Sequence, residues 1–401
     1  MYFYYFFRNK LIILFATILS PILFVLAKKR RRDFGDAPRI LVIPQLTRIG
    51  DLVCATPVFR AIKERYPKSF LAVMVTGKVT GIIKNNPHID QIIQYKTKGY
   101  SNILENVGIL KFDVGISLTP QPMATVTMLL GLIPRRIKLI REGRPVGEAL
   151  TDWLNTETLL YRHHTFLPQR YLDLLRSIGI ENASLEKGVF VSEAGERKVS
   201  NFLPLVLKGE DKGGGLTPPL VIGISITAGN KIKEWGDENF AELAKRILEK
   251  YKDIKIIFIG SKNDEPRIDN VLKKIGSPST GSGTKDLYSL SGVEGLPIYK
   301  AIDFNLEELP SLIKRLDLYV AVDTGPIYIA NALGVPTVDI LGPVDPTEQP
   351  PCDGGKSVCV LPAGNIKPSS FVFKRPGRPE EHRKALEAIN VELVLEAIGV
   401  L

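Results

Sequence analysis

Asp323, Thr324, Gly325 and Pro326 directly follow an apolar run, residues 318 to 322. Two capping residues, a flexible residue and a proline suited to the first helical turn thus sit at the end of a strand. A helix beginning there directs its first amides and its positive dipole end at whatever lies above the sheet, which is an arrangement that binds phosphate. Gly334 and Pro336 stop that helix, and residues 337 to 341 read as a second buried strand. Two further loops follow apolar runs. Arg48, Gly50 and Asp51 come after the run 39 to 44, and Thr227, Lys231, Lys233 and Trp235 come after the run 220 to 226. Lysines and helix amides neutralise a diphosphate, while a carboxylate accepts a proton. Together they suit group transfer from an activated phosphate donor, with the leaving diphosphate stabilised electrostatically and an acceptor hydroxyl deprotonated. Taken singly, each residue also has a structural reading: Asp51 as a helix cap, Lys233 as a solvated lysine, Trp235 as core packing. Their joint placement at strand ends favours the chemical one.

The elements that must position these loops alternate strand and helix through the chain, which predicts α/β architecture with largely parallel sheets. Strands are expected at 39–44, 70–75, 91–95, 112–118, 220–226, 254–260, 318–322 and 337–341. An amphipathic helix at 167–178 turns Tyr171, Leu174 and Leu175 inward and Arg170 and Asp173 outward. Asn305 to Glu308 cap the helix that leads to the Asp323 turn, and Asn390 caps a last helix. The polar, glycine-rich stretch 208–219 is the expected linker. It separates an N-terminal domain, 38–207, from a C-terminal domain, 220–378, with a helical tail at 379–401. At 401 residues, 44% hydrophobic and 24% charged, the chain can build both cores.

Other chemistries are disfavoured. The three cysteines, Cys54, Cys352 and Cys359, make neither a disulfide framework nor a zinc pairing, so a reducing compartment is the default. The four histidines form no HExxH pattern and no Asp-x-Asp pair occurs, so the expected chemistry uses no metal and no cofactor. No GxGxxG is present to bind a dinucleotide. The net charge of +10 resembles a nucleic-acid signal until it is located. Arg8, Lys10, Lys28, Lys29, Arg30, Arg31 and Arg32 supply seven positives, with no acid among residues 1 to 32. Residues 11 to 27 between them are an uncharged run of 17, with Pro21 inside it. A membrane anchor through residues 1–32 follows, the anchor and its basic flank together taking up residues 1–37, with the bulk of the chain facing the cytoplasm. At 1.5 Å per residue the run reaches about 26 Å, a marginal span, and Pro21 leaves a bent or interfacial insertion open.

Arg48-Ile49-Gly50-Asp51 with Thr56-Pro57, Lys233-Glu234-Trp235, and Asp323-Thr324-Gly325-Pro326 with Ala330, Gly334, Pro336, Gly342-Pro343 and Asp345-Pro346 resemble glycosyltransferase family 9. This is the heptosyltransferase family of lipopolysaccharide core synthesis, and the resemblance runs from Arg39 to the C-terminus. It implies the GT-B fold, two Rossmann-like domains facing across a cleft, with the C-terminal helix crossing back onto the first domain. It implies an inverting, metal-independent transfer, of heptose from ADP-heptose onto a lipid-linked saccharide. Asp51 would be the general base, with Arg48, Gly50 and Arg170 on the acceptor side. The donor would meet Thr227, Lys231, Lys233, Thr324, Gly325, Pro326 and Tyr328, with Asp323 orienting Lys233 and with Glu307 and Glu308 near the ribose. The chain departs from the family at Tyr328, where histidine is common; tyrosine donates one hydrogen bond but brings no imidazolium charge. Two alternatives stand beside this reading: a nucleotide-sugar epimerase of the same fold, and a non-catalytic binding protein of an envelope complex.

Overall fold

The structure, a computed structural model, describes residues 2–33, 35–95, 107–207, 219–276, 296–351, 356–364, 366–373 and 379–401. The chain divides into two compact units, Met1–Gly188 and Val189–Leu401. The first holds a six-stranded parallel sheet: β1 (Arg39–Ile43), β2 (Phe70–Val75), β3 (Gln91–Gln94), β4 (Val114–Ser117), β5 (Arg135–Arg141) and β6 (Glu157–Tyr161). Its strand order is β3-β2-β1-β4-β5-β6. The second holds β7 (Leu220–Ser225), β8 (Ile254–Ile259), β9 (Ile298–Ala301), β10 (Leu318–Val322), β11 (Thr337–Ile340) and β12 (Ser357–Val360), in the order β12-β11-β10-β7-β8-β9. Counted from its own first strand the second sheet has the same order as the first, and every pairing in both is parallel. Each therefore reverses its winding once, between β1 and β4 in the first unit and between β7 and β10 in the second. Ligands of open α/β sheets bind at such reversals, beyond the carboxyl ends of the strands.

All eight expected strands are present, and β5, β6, β9 and β12 are additional. The unit division after Gly188 differs from the expected domain end at 207. The helix Glu193–Leu207 belongs to the second unit, held there by the Ser192 hydroxyl donating to Glu307 O at 3.0 Å and by a Lys198–Glu308 ion pair at 2.9 Å. Of the expected linker, residues 208–218 lie outside the described residues, as does the expected loop 277–283.

The C-terminal helical tail, expected to cross back onto the first unit, contributes to the core of the second. The helix Val391–Val400 packs on the helix Asp237–Lys250 and on β11 and β12. Its Val394, Leu395 and Ile398 are buried in the same core as Ile247 and Ile340. Asn390 does cap it, accepting from the Leu393 amide at 3.0 Å. The cysteine reading is corrected at one position, since Cys359 is disulfide-bonded; Cys54 is a free, buried thiol.

The N-terminal segment forms two helices, α1 (Tyr2–Ile18) and α2 (Ser20–Lys29). They are bent by 67° at a break just before Pro21. Among the described residues no single helix is long and apolar enough to cross a membrane. Both helices pack on the helix Pro122–Leu130 of the first unit, and Ile12 joins the core of Met74, Ala124 and Met128.

Candidate active site

In the first unit the loop after β1 leads into α3 (Ile49–Arg65), so Arg48, Gly50 and Asp51 lie at the winding reversal. Asp51 is the third residue of α3 and is buried; the N-cap position belongs to Arg48. Asp51 is therefore not the helix cap. The exposed Arg48 guanidinium stands 4.0 Å from its carboxylate, a loose pairing. Beside Asp51 lies Tyr171, fully buried, whose hydroxyl has no hydrogen-bond partner among the described residues. Burial, and after it the Asp51 carboxylate, push this phenol well above its ordinary pKa. Tyr171 faces inward as its helical position dictates, but the sequence offers no sign that it neighbours Asp51. Arg170, on the same helix Leu167–Asp173, is partly exposed and pairs with Asp173 at 3.0 Å.

The Thr56-Pro57 pair maintains α3. Pro57 has no amide to donate to Val53 O one turn back, and the Thr56 hydroxyl donates to that carbonyl instead, at 2.7 Å. The same hydroxyl accepts from the Gly188 amide at 2.9 Å.

In the second unit Asp323 ends β10 and Thr324 takes the N-cap of the helix Gly325–Ala332, with Pro326 in its first turn. Pro326 contributes no amide, so the donors of this turn are concentrated at Thr324 and Gly325. Asp323 is buried and accepts two hydrogen bonds, from Lys233 Nζ at 2.5 Å and from the Tyr328 hydroxyl at 2.7 Å. Lys233 also stands 5.3 Å from the centroid of the Phe371 ring. The ammonium is thus held beside the helix start by one charge and one aromatic face. Tyr328, expected to touch the donor, donates a hydrogen bond to Asp323 and so helps to orient the carboxylate that orients Lys233.

The loop 226–230 between β7 and the short helical turn Lys231–Lys233 is braced from below. Glu234 accepts from the Ala228 amide at 3.3 Å and pairs with Arg267 at 2.5 Å, and Arg267 also pairs with Asp237 at 2.6 Å. Trp235 is core, as its structural reading held: its indole donates to Ile389 O at 2.7 Å and meets Phe240 edge-on. Thr227 lies in the braced loop, and Lys231 is exposed on it. Behind the set lies Asp339 of β11, fully buried, with neither oxygen hydrogen-bonded among the described residues. Burial and the Asp323 charge push its pKa well above the carboxylate range, against the pull of Lys233.

Glu308, expected near the ribose, has a structural role in the second unit. Its carboxylate accepts from the Asn305 amide at 3.0 Å and from Lys198 at 2.9 Å, while Asn305 Oδ1 accepts from the Glu307 and Glu308 amides. This is a capping box, with both partners engaged structurally. Farther along, Gly342 is required as glycine. Its φ is +54° and an added Cβ would lie 2.5 Å from Leu386 Cδ2.

A partly exposed lysine paired with a buried carboxylate beside a helix start, at the winding reversal of a parallel sheet, is an anion site built into a nucleotide-type fold. Over residues 294–370 the sequence matches the family described as glycosyltransferase family 9 (heptosyltransferase). The chain carries this signature of glycosyltransferase family 9. It is an enzyme, a glycosyltransferase. A curated relative, lipopolysaccharide heptosyltransferase 3 of Escherichia coli (strain K12), is 24% identical over 87% of this chain and 94% of its own length. The crystal structure of a family 9 glycosyl transferase from Veillonella parvula DSM 2008 superposes with a TM-score of 0.68 at 19% identity, covering 90% of this chain and 96% of that one. An E. coli ADP-heptose lps heptosyltransferase II structure superposes at 0.64 and 18% identity, covering 89% and 99%. At these identities the structures establish the fold, two parallel-sheet α/β domains.

Proposed function

We propose that this glycosyltransferase moves heptose from ADP-heptose onto a lipid-linked saccharide in lipopolysaccharide or related envelope-glycan synthesis. It does so by a single inverting displacement without a metal, at the cytoplasmic face of the membrane. The observation that carries the donor half is the Lys233–Asp323–Tyr328 set at the start of the helix Gly325–Ala332. The names of the relatives support heptose and ADP. In this reading Asp51 takes the proton of the acceptor hydroxyl as its oxygen bonds to the anomeric carbon. The bond from that carbon to the diphosphate oxygen breaks, and the electron pair leaves with the diphosphate, whose charge Lys233 and the amides of Thr324 and Gly325 meet. Metal independence is supported by the missing Asp-x-Asp pair and by a built-in cation for the leaving group. The membrane association rests on the apolar, cation-flanked segment 1–32.

A thermal-shift screen of ADP-, UDP- and GDP-sugars tests the donor. A ligand at 100 times its Kd adds roughly 2.7 kcal/mol of stability. ADP-heptose should stabilise the protein and its transfer should persist in EDTA. Stabilisation by UDP- or GDP-sugars alone would move the donor assignment, and loss of transfer restored by Mg²⁺ would overturn the metal-free route.

A further inference from the structure

α1 and α2 pack with inverted polarity. Among their described side chains the buried positions are small residues, Ala16, Ser20 and Ala27, whereas Leu14, Ile18, Ile22 and Val25 are each more than half exposed. A helix folded only against protein and water does the opposite. The bend between them has no hydroxyl in need of water, because Thr17 Oγ1 donates to Ile13 O at 2.8 Å and Ser20 Oγ to Thr17 O at 2.7 Å.

The exposed apolar surface continues onto an element remote in sequence. The helix Val146–Asp152 exposes Val146 (75%) and Leu150 (62%), and the adjoining Trp153 is 55% exposed. The Trp153 indole meets the Phe24 ring of α2 edge-on, with centroids 5.8 Å apart, so the two surfaces are continuous. All three helices share the helix Pro122–Leu130 as their support.

Cations border this face. Lys28, Lys29 and Arg31 are exposed at the end of α2. The chain then runs into a cleft of about 400 Å³ that Arg31, Arg32 and Arg135 line, with Arg32 forked onto Asp113 at 2.6 and 2.9 Å. With 17 and 10 residues, α1 and α2 reach about 26 and 15 Å, each short of the roughly 30 Å hydrocarbon core, and the 67° bend prevents them from adding end to end.

The geometry points to a monotopic membrane face in which α1, α2 and the helix Val146–Asp152 with Trp153 lie together in one leaflet of an anionic bilayer, with the arginine cleft at the headgroups. The charge pattern selects this occupant. A bilayer with anionic lipid supplies an apolar interior and a negative rim at once, which matches an apolar centre with a basic edge. The inference rests on the membrane reading above and replaces a span with an in-plane insertion that recruits a second segment.

The test uses the full chain and vesicles of phosphatidylethanolamine and phosphatidylglycerol at 70:30, with phosphatidylcholine vesicles as the comparison. Of the two tryptophans, Trp235 is buried, so Trp153 reports. Expected are sedimentation with the anionic vesicles, a blue shift of tryptophan emission, and stronger quenching by bromines near the headgroup than by bromines at mid-bilayer. The double variant Val146→Asp, Leu150→Asp, at two exposed positions, should melt with the wild type yet partition about tenfold or more weaker. If the protein sediments with vesicles while Trp153 emission stays fixed and the double variant binds fully, the α1–α2 pair anchors alone. The in-plane face is then overturned while the anchor stands. Strong quenching at mid-bilayer also overturns it in favour of a deep span. Failure to bind either vesicle overturns both, and a dimer by light scattering in that case would assign the face to a second copy of this chain.

Discussion

The two sheets share one strand order, and the loops at their winding reversals have been given opposite characters. In the second unit the reversal is closed and satisfied: Lys233, Asp323 and Tyr328 are bonded at 2.5 and 2.7 Å, with the cation fixed beside a helix start. In the first unit it differs: Asp51 is buried, the Arg48 guanidinium is exposed and 4.0 Å from it, and the nearby Tyr171 hydroxyl has no hydrogen-bond partner among the described residues. Topology fixes where a ligand can sit, whereas side-chain pairing decides what it can be. A prepaired cation suits a ligand that arrives charged, and a buried carboxylate at a strand end suits one that arrives with a proton to lose.

The largest break of this contrast is at Asp51. Asp51→Asn keeps size but loses basicity, so turnover should fall roughly 10²- to 10⁴-fold while donor affinity and melting temperature stay near wild type. Normal turnover, or a loss of stability that parallels the loss of activity, would make Asp51 structural. On the other side, Lys233→Ala removes a charge-assisted contact typically worth roughly 1.5 to 3 kcal/mol, about 10- to 150-fold in nucleotide-sugar affinity by calorimetry. Unchanged affinity would take Lys233 out of the site.

Two smaller effects sharpen the second unit's half. Tyr328→Phe deletes the 2.7 Å bond to Asp323 and should lower stability by about 1 kcal/mol, with donor affinity little changed. A drop in affinity as large as that of Lys233→Ala would instead put the hydroxyl on the donor. Asp339→Asn concerns pH. The native carboxyl holds its proton above the ordinary carboxylate range, so its contribution to stability is complete below that range and is lost as pH rises through the raised native value. The asparagine variant should melt with the wild type near pH 4 and above it at pH 8, by about 2 to 4 °C per kcal/mol recovered. Equal destabilisation at both pH values would mean that the carboxyl makes a contact asparagine cannot.

Much of this was legible in the chain because it is written locally. Apolar runs ending in capping residues located β1, β7 and β10 and the three loops after them, and Asn305 announced its capping role by position. What escaped depends on partners distant in sequence. β5 reads Arg-Arg-Ile-Lys-Leu-Ile-Arg, yet Arg136 and Lys138 are buried in it. Arg136 donates to Leu154 O and Ile133 O and is pushed down to about 10 by burial, while Lys138 is lowered by burial and steadied by Asp152 at 3.0 Å. β9 buries Lys300 between Glu265 and Asp269 in the same way. The unit boundary was missed for this reason too, since the Lys198–Glu308 and Arg315–Glu196 pairs that place the helix Glu193–Leu207 in the second unit cross more than a hundred residues. Glu308 reads two ways in the sequence because a capping box and a ribose contact ask for the same residue at the same place.

The account centres on the diphosphate resting at the reversal of the second sheet, and backbone hydrogen exchange with and without saturating ADP tests it most directly. Slowed exchange is predicted at the amides of residues 227–233 and at Thr324, Gly325, Ile327 and Tyr328, with residues 48–54 unaffected. Protection confined to residues 48–54, or none at the Thr324–Gly325 turn while ADP is bound, would contradict it.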